Sequence, residues 1–334
     1  MDHPIRRYLE DAIAAEKSFE TQLNTFGKEA TLPAAARFFE QHALETKQQY
    51  GELTQRLEAL GGSTSTLKSI LAHLFNMSPK MAQLGHDEQE RSTQDLIMAF
   101  VVENAEVAMY ESLAIAAEEA GDVETATLAR RIQVEEKATA EGVWKLIAES
   151  AIQGFLKVRA DNPAESSAAI LRYLQDTEAA ERNFEDALAT FSKAGNQAEV
   201  QAMMSMMSSK ARTQHERLAA RLEALGGTTS TAKSVLAHLL AFTPVSAQLG
   251  HDESEKSTQH LMITYSAAAA EMGMYEALAA VAAEANDEVT ATLARELQAE
   301  EEEEQRLVWE QLPESAQASF RSVPGAASRS ANAA

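Results

Sequence analysis

The chain contains no cysteine. That excludes disulfides, thiolate metal sites and thiol nucleophiles, and it leaves His, Asp and Glu as the strong metal ligands. Helix breakers are scarce as well, with 7 Pro and 14 Gly in 334 residues. Ala, Glu and Leu dominate what remains, which favours long helices over a sheet-rich fold. Positive charge is also short: 29 Lys and Arg stand against 51 Asp and Glu, a net charge of −22. Such a chain repels phosphate backbones and anionic lipid while concentrating cations, so nucleic acid and membrane surfaces are not expected partners. No uninterrupted apolar run reaches about 18 residues. The opening MDHPIRRYLED has no apolar segment after a basic start, and the expectation is a soluble cytoplasmic protein.

What the chain does have is a repeat. RLEALGG occurs at 56 and 221, AQLGHDE at 82 and 247, MYE at 109 and 274, and TATLAR at 125 and 290. Every pair is offset by 165 positions, and Tyr8/Tyr173 and Trp144/Trp309 carry the same offset toward both ends. A tandem duplication without insertion or deletion accounts for this. The expected domains are 1–157 and 162–320, joined near Asn162-Pro163, a dipeptide suited to a helix start. The tail 321–334 is small, polar and aperiodic, and is expected to be disordered.

Each repeat reads as four helices. In the first copy these run from about Ile5 to Phe26, from Pro33 to Gly61-Gly62, from about Asp87 to Ala120, and from about Asp122 to Glu149. Gly121 and its counterpart Asn286 both tolerate the left-handed conformation that ends helices. Short turns join the first to the second helix and the third to the fourth. About two dozen residues, amphipathic enough for a short helix, link the second to the third. This is the connectivity of an all-α protein made of two tandem ferritin-like four-helix bundles with long crossovers.

Polar residues then appear on faces that should be apolar. Glu16 falls between Ile13 and Leu23 on the first helix. His42 and Glu45 share a face with Phe38, Phe39 and Leu53 on the second. Glu103 and Glu106, spaced E-x-x-E, fall between Phe100 and Tyr110 on the third. Glu135 and Glu136 fall between Ile132 and Val143 on the fourth. Burying one unpaired carboxylate is costly, and four helices that each do so point to cations among them. Five or six carboxylates with one imidazole in a bundle core form the ligand set of a di-iron or di-manganese site. The pattern is oxygen-rich: the second helix carries H-x-x-E and the fourth E-x-x-T (Glu136, Thr139), so a second histidine is absent.

The combination of A-A-E-K on the first helix, H-x-x-E-T at His42–Thr46, V-E-x-x-E-x-x-x-Y at Val102–Tyr110 and E-E-x-x-T at Glu135–Thr139 resembles the YciF-type ferritin-like proteins. The resemblance spans each repeat nearly end to end. It implies a bacterial stress-associated four-helix bundle with a di-metal carboxylate site, and as ligands Glu16, His42, Glu45, Glu103, Glu106 and one of Glu135 or Glu136. It also implies a ferroxidase, with Fe(II) oxidised by O2 or H2O2; a manganese-catalase-like peroxide activity is the near neighbour. Tyr110, one turn from Glu106, is a candidate electron donor or a buried hydrogen-bonding tyrosine. The non-enzymatic alternative is a stress-induced structural or metal-sequestering protein.

The second copy departs from this pattern. At the 165 offset Glu16, Glu106 and Glu135/Glu136 become Glu181, Glu271 and Glu300/Glu301, but His42 becomes Met207, Glu45 becomes Lys210 and Glu103 becomes Ala268. A Lys210 ammonium is expected to repel metal and to pair with Glu181 and Glu271, which makes the second copy a metal-free pseudo-site. Met203, Met204, Met206 and Met207 are expected as core filler. His86 and His251 are expected to serve capping and interface roles beside Asp87, and His73 and His238 to pack in apolar surroundings. Fusion of two bundles suggests an intrachain pseudo-dimer, with further homo-oligomerisation open.

Overall fold

The computed structural model describes residues 4–63, 90–162, 166–229 and 253–323. Among these the chain is helical, with no strand. Helices α1 (Pro4–Glu29), α2 (Pro33–Ala59), α3 (Arg91–Glu119) and α4 (Val123–Asp161) form the first half. Helices α5 (Ser166–Phe191), α6 (Ala198–Ala224), α7 (Lys256–Glu284) and α8 (Glu288–Ser322) form the second, with one 3-10 turn, Glu253–Glu255, before α7. The two halves are tandem four-helix bundles. The crossovers and the end of the tail lie outside the described residues, and with them His73, His86, Asp87, His238 and His251. Among the described residues no helix is long and apolar enough to cross a membrane.

Repeated motifs account for the joints. After α2, Gly61 takes a φ of 76° and the Gly62 amide donates to the Leu57 carbonyl at 2.9 Å. This closes a Schellman turn that a side chain at position 61 would strain. Gly226 and Gly227 repeat it, with φ 75° and a 2.9 Å bond to Leu222. Gly121 and Asn286 are left-handed as expected, at 71° and 63°. Asp122 then caps α4 by accepting from the Thr125 amide at 3.0 Å, while Arg56 from the end of α2 donates to Asp122 at 2.6 Å and to the Thr125 hydroxyl at 2.7 Å. Arg221, Asp287 and Thr290 build the same latch in the second half. The arginine of RLEALGG and the first threonine of TATLAR are thus two ends of one clasp.

Helix α4 overruns its expected end at Glu149 by three turns. Ser150, Ala151, Gly154, Phe155 and Val158 continue its buried stripe, and no proline intervenes before Pro163.

Helices α3 and α7 are buried almost all round, because each packs both in its own bundle and against the other half. Val101 and Ala108 of α3 join Phe184 and Leu188 of the second half in one apolar cluster, and Ala269, Tyr275, Ala277 and Leu278 of α7 share another with residues of both halves. A Cβ on Gly273 of α7 would lie 3.4 Å from Ile97 of α3. Around this seam the contacts come in pairs related by the 165 offset. Arg7 meets Glu255 at 2.6 Å and Arg172 meets Glu90 at 3.1 Å. The chain is folded about an internal pseudo-two-fold axis.

Replacing Asp122 by Ala removes the helix cap and the Asp122 arm of the Arg56 clasp. The expected loss is about 2 kcal/mol of stability, read as a lower urea midpoint with an unchanged slope; an unaltered midpoint would contradict the clasp.

Candidate metal centre

In the first half, four helices bring five buried polar side chains together: Glu16 from α1, His42 from α2, Glu103 and Glu106 from α3, and Glu136 from α4. They form two triads, His42–Glu103–Glu136 and Glu16–Glu106–Glu136, each with ligand atoms within 4.8 Å of one another. Glu136 is common to both, so two groups of residues that could each hold a metal ion share one carboxylate.

Hydrogen bonds hold one oxygen of Glu16 and of Glu136 and leave the other without a partner. Tyr110 donates to Glu16 Oε1, and Gln49 donates to Glu136 Oε1 at 2.6 Å. Glu16 Oε2, Glu136 Oε2 and both oxygens of Glu103 and Glu106 have no hydrogen-bond partner. His42 Nε2 stands 2.7 Å from Glu103 Oε1 without the alignment of a hydrogen bond. Such spacing suits two ligands of one ion. The Phe19 and Phe38 rings flank the imidazole at 5.8 and 6.3 Å, and a Cβ on Gly142 would fall 2.5 Å from Phe38. A bare position 142 thus makes room for the ring beside His42.

Burial pushes Glu16, Glu103, Glu106 and Glu136 well above the usual carboxylate range. Neighbouring carboxylates push in the same direction: Glu136 acts on Glu16, Glu16 on Glu106, and Glu103 on Glu136. Cations among them would reverse this penalty.

Two expected ligands sit elsewhere. Glu45 is at the rim, its side chain 51% exposed and 3.5 Å from His42 Nδ1, where it accepts from Gln41 at 2.8 Å. Glu135 faces outward to Arg131 at 2.6 Å and accepts from Gln49 at 3.1 Å. Of the adjacent pair, Glu136 is the buried one. Tyr110 is fully buried as a hydrogen-bond donor. Gln49 escaped the sequence reading, although its place one turn beyond Thr46 put it on the same face.

The second half keeps part of this arrangement. Glu181, Glu271 and Glu301 form a buried triad within 4.8 Å, the counterpart of Glu16–Glu106–Glu136. Tyr275 donates to Glu181 and Gln214 to Glu301 at 2.7 Å. The expected pairing of Lys210 with Glu181 and Glu271 is not what forms. Lys210 is 43% exposed and reaches Glu304 Oε1 at 3.4 Å, because its position, like that of Glu45, lies at the rim. Glu304 is buried one turn from Glu301, at the place of Thr139. Glu300 instead pairs with Arg217 at 2.7 Å. Met204 and Met207 fill the core, whereas Met206 is 45% exposed.

A four-helix bundle whose core gathers carboxylate and imidazole side chains from facing helices is the arrangement of the ferritin-like class. The family described as Domain of unknown function (DUF892) matches residues 6–156 and 169–320, so the chain belongs to that family, with one copy in each half. The family lies within the ferritin-like superfamily. No solved structure matches the chain.

The raised carboxyls set a pH dependence. In the second half burial lifts Glu181 to about 8 and Glu304 to about 7, against 4.5 in an unfolded chain. Groups raised on folding favour the folded state below pH 4.5, and that contribution is lost as pH climbs toward 7 and 8. Chelator-treated protein should therefore show a melting temperature that falls between about pH 5 and 8. Added Mn2+ should raise it most at the upper end, since cations and protons compete for the same oxygens. A melting temperature that rises with pH in chelator would refute this.

Proposed function

We propose that the first half is a ferritin-like di-iron or di-manganese centre of the YciF type, which oxidises Fe(II) with O2 or H2O2 in a stress-protective role. What carries the reading is the pair of triads sharing Glu136. Four buried carboxylates balance the charge of two divalent cations, and the neutral imidazole adds a ligand without adding charge. Fe(II) is the substrate. Two ions give up one electron each, and one hydrogen peroxide accepts both with two protons to yield two waters. Bound metal supplies this electron transfer; the protein supplies ligands, geometry and dryness.

His42, Glu103, Glu16 and Glu106 fix the two positions, and Glu136 holds them together. Tyr110 keeps its proton directed at Glu16 Oε1, which orients the other oxygen toward the centre. Glu45, half-exposed beside His42, is suited to drawing cations inward from the acidic surface.

Ferrous full-length protein treated with hydrogen peroxide should develop ferric absorbance in the near ultraviolet. Glu136→Gln should slow this at least about tenfold with helical circular dichroism unchanged. Glu45→Ala should slow loading while leaving the final amplitude intact. Metal retained without any absorbance change would instead mark a sequestering protein with no turnover.

A further inference from the structure

Conversion of the first triad pair into the second half's residues is selective. Met207 and Ala268 stand where His42 and Glu103 complete one triad, whereas every member of the other triad has its counterpart in Glu181, Glu271 and Glu301. The supporting donors are kept too. Tyr275 occupies Glu181 Oε1 and Gln214 occupies Glu301 Oε1, so that Glu181 Oε2 and Glu301 Oε2 are left without a partner. Glu271 is 1% exposed and neither of its oxygens has a partner. Gln214, itself no acid, is also buried, and its Oε1 is unpartnered while its amide nitrogen anchors the cluster.

We propose that the second half is not a metal-free remnant but a mononuclear site for one hard divalent cation, held by Glu181, Glu271 and Glu301. The donor set is all oxygen, with no imidazole, thioether or thiolate in it; such a set suits Mn2+ or Mg2+ over softer ions. Met207 and Ala268 remove the second position and leave the first whole. Lys210 fits the same count. One cation leaves more uncompensated carboxylate than two would, and the ammonium at 3.4 Å offsets the extra Glu304. The site has lost a metal position, not its affinity for metal. A fixed single ion also has no metal neighbour with which to share electrons, so its role is to hold α5, α7 and α8 together at the level where carboxylates interrupt the apolar core. Nothing here depends on the chemistry of the first half.

Mn2+ alone is the probe, titrated into full-length chelator-stripped protein and counted by electron paramagnetic resonance. A chain carrying Glu106→Gln and Glu136→Gln, which cripple both first-half positions, should still bind about one Mn2+ with the six-line spectrum of an isolated ion. Adding Glu271→Gln should abolish it, with helical circular dichroism unchanged. Should the triple variant fail to fold, Glu301→Gln in place of Glu271→Gln is expected to give the same loss. No bound Mn2+ in the first variant overturns the proposal, as does a bound ion indifferent to both second-half substitutions. Failure of the first-half reading would look different: wild-type protein would bind about one isolated Mn2+, still lost on Glu271→Gln.

Discussion

Everything in this molecule follows from carboxylates buried in helical cores. A charged oxygen taken from water into an apolar interior costs several kcal/mol unless something opposite in sign meets it. This chain buries four such groups at one level of the first bundle and four at the matching level of the second. Among the described residues no arginine or lysine pairs with the first cluster, and Lys210 beside the second stays at the rim. The remaining ways to neutralise the charge are protons and metal ions, and the hydrogen bonds from Tyr110 and Gln49 are arranged so that one oxygen of each supported carboxylate still points at its fellows.

The architecture serves that arrangement. The clustered side chains come from all four helices, so the relative heights of the helices must be held to a fraction of a turn. The clasp of Arg56 on Asp122 and Thr125 fixes α2 against the start of α4. The loop between α1 and α2 is pinned to the start of α3 where the Thr31 amide donates to the Ser92 hydroxyl at 2.6 Å. Helix α3, which carries Glu103 and Glu106, is wedged between its own bundle and the other half and has almost no exposed face.

Most of the fold was legible in the sequence because duplication and helical period are strong, redundant signals. Two copies of each motif at one offset removed ambiguity about register, and inward glutamates stood out against apolar stripes. What stayed hidden were matters of a fraction of a turn. Glu135 and Glu136 are adjacent, and only packing decides which one turns inward. Glu45 lies three residues from His42, yet the stripe of α2 drifts past it to Thr46 and Gln49. The same drift carries Lys210 to the rim, where Glu304 and not Glu181 is within reach. The far end of α4 was missed because its buried stripe thins to Ser150, Ala151 and Gly154, which carry little hydrophobic signal, before Phe155 and Val158 resume it.

The internal axis is broken at its seam as well as at the two clusters. Lys137 of α4 lies over the Trp309 ring of α8, 4.2 Å from its centre, while the position related to Lys137 holds Glu302. In a dimer of identical chains every substitution is imposed twice, so a contact that favours one side of the axis cannot arise without its mirror. Joining the copies in one polypeptide lifts that restriction. Each half can drift under its own selection while borrowing stability from the other, and a gene that once encoded a symmetric pair can come to encode two unequal partners that never separate.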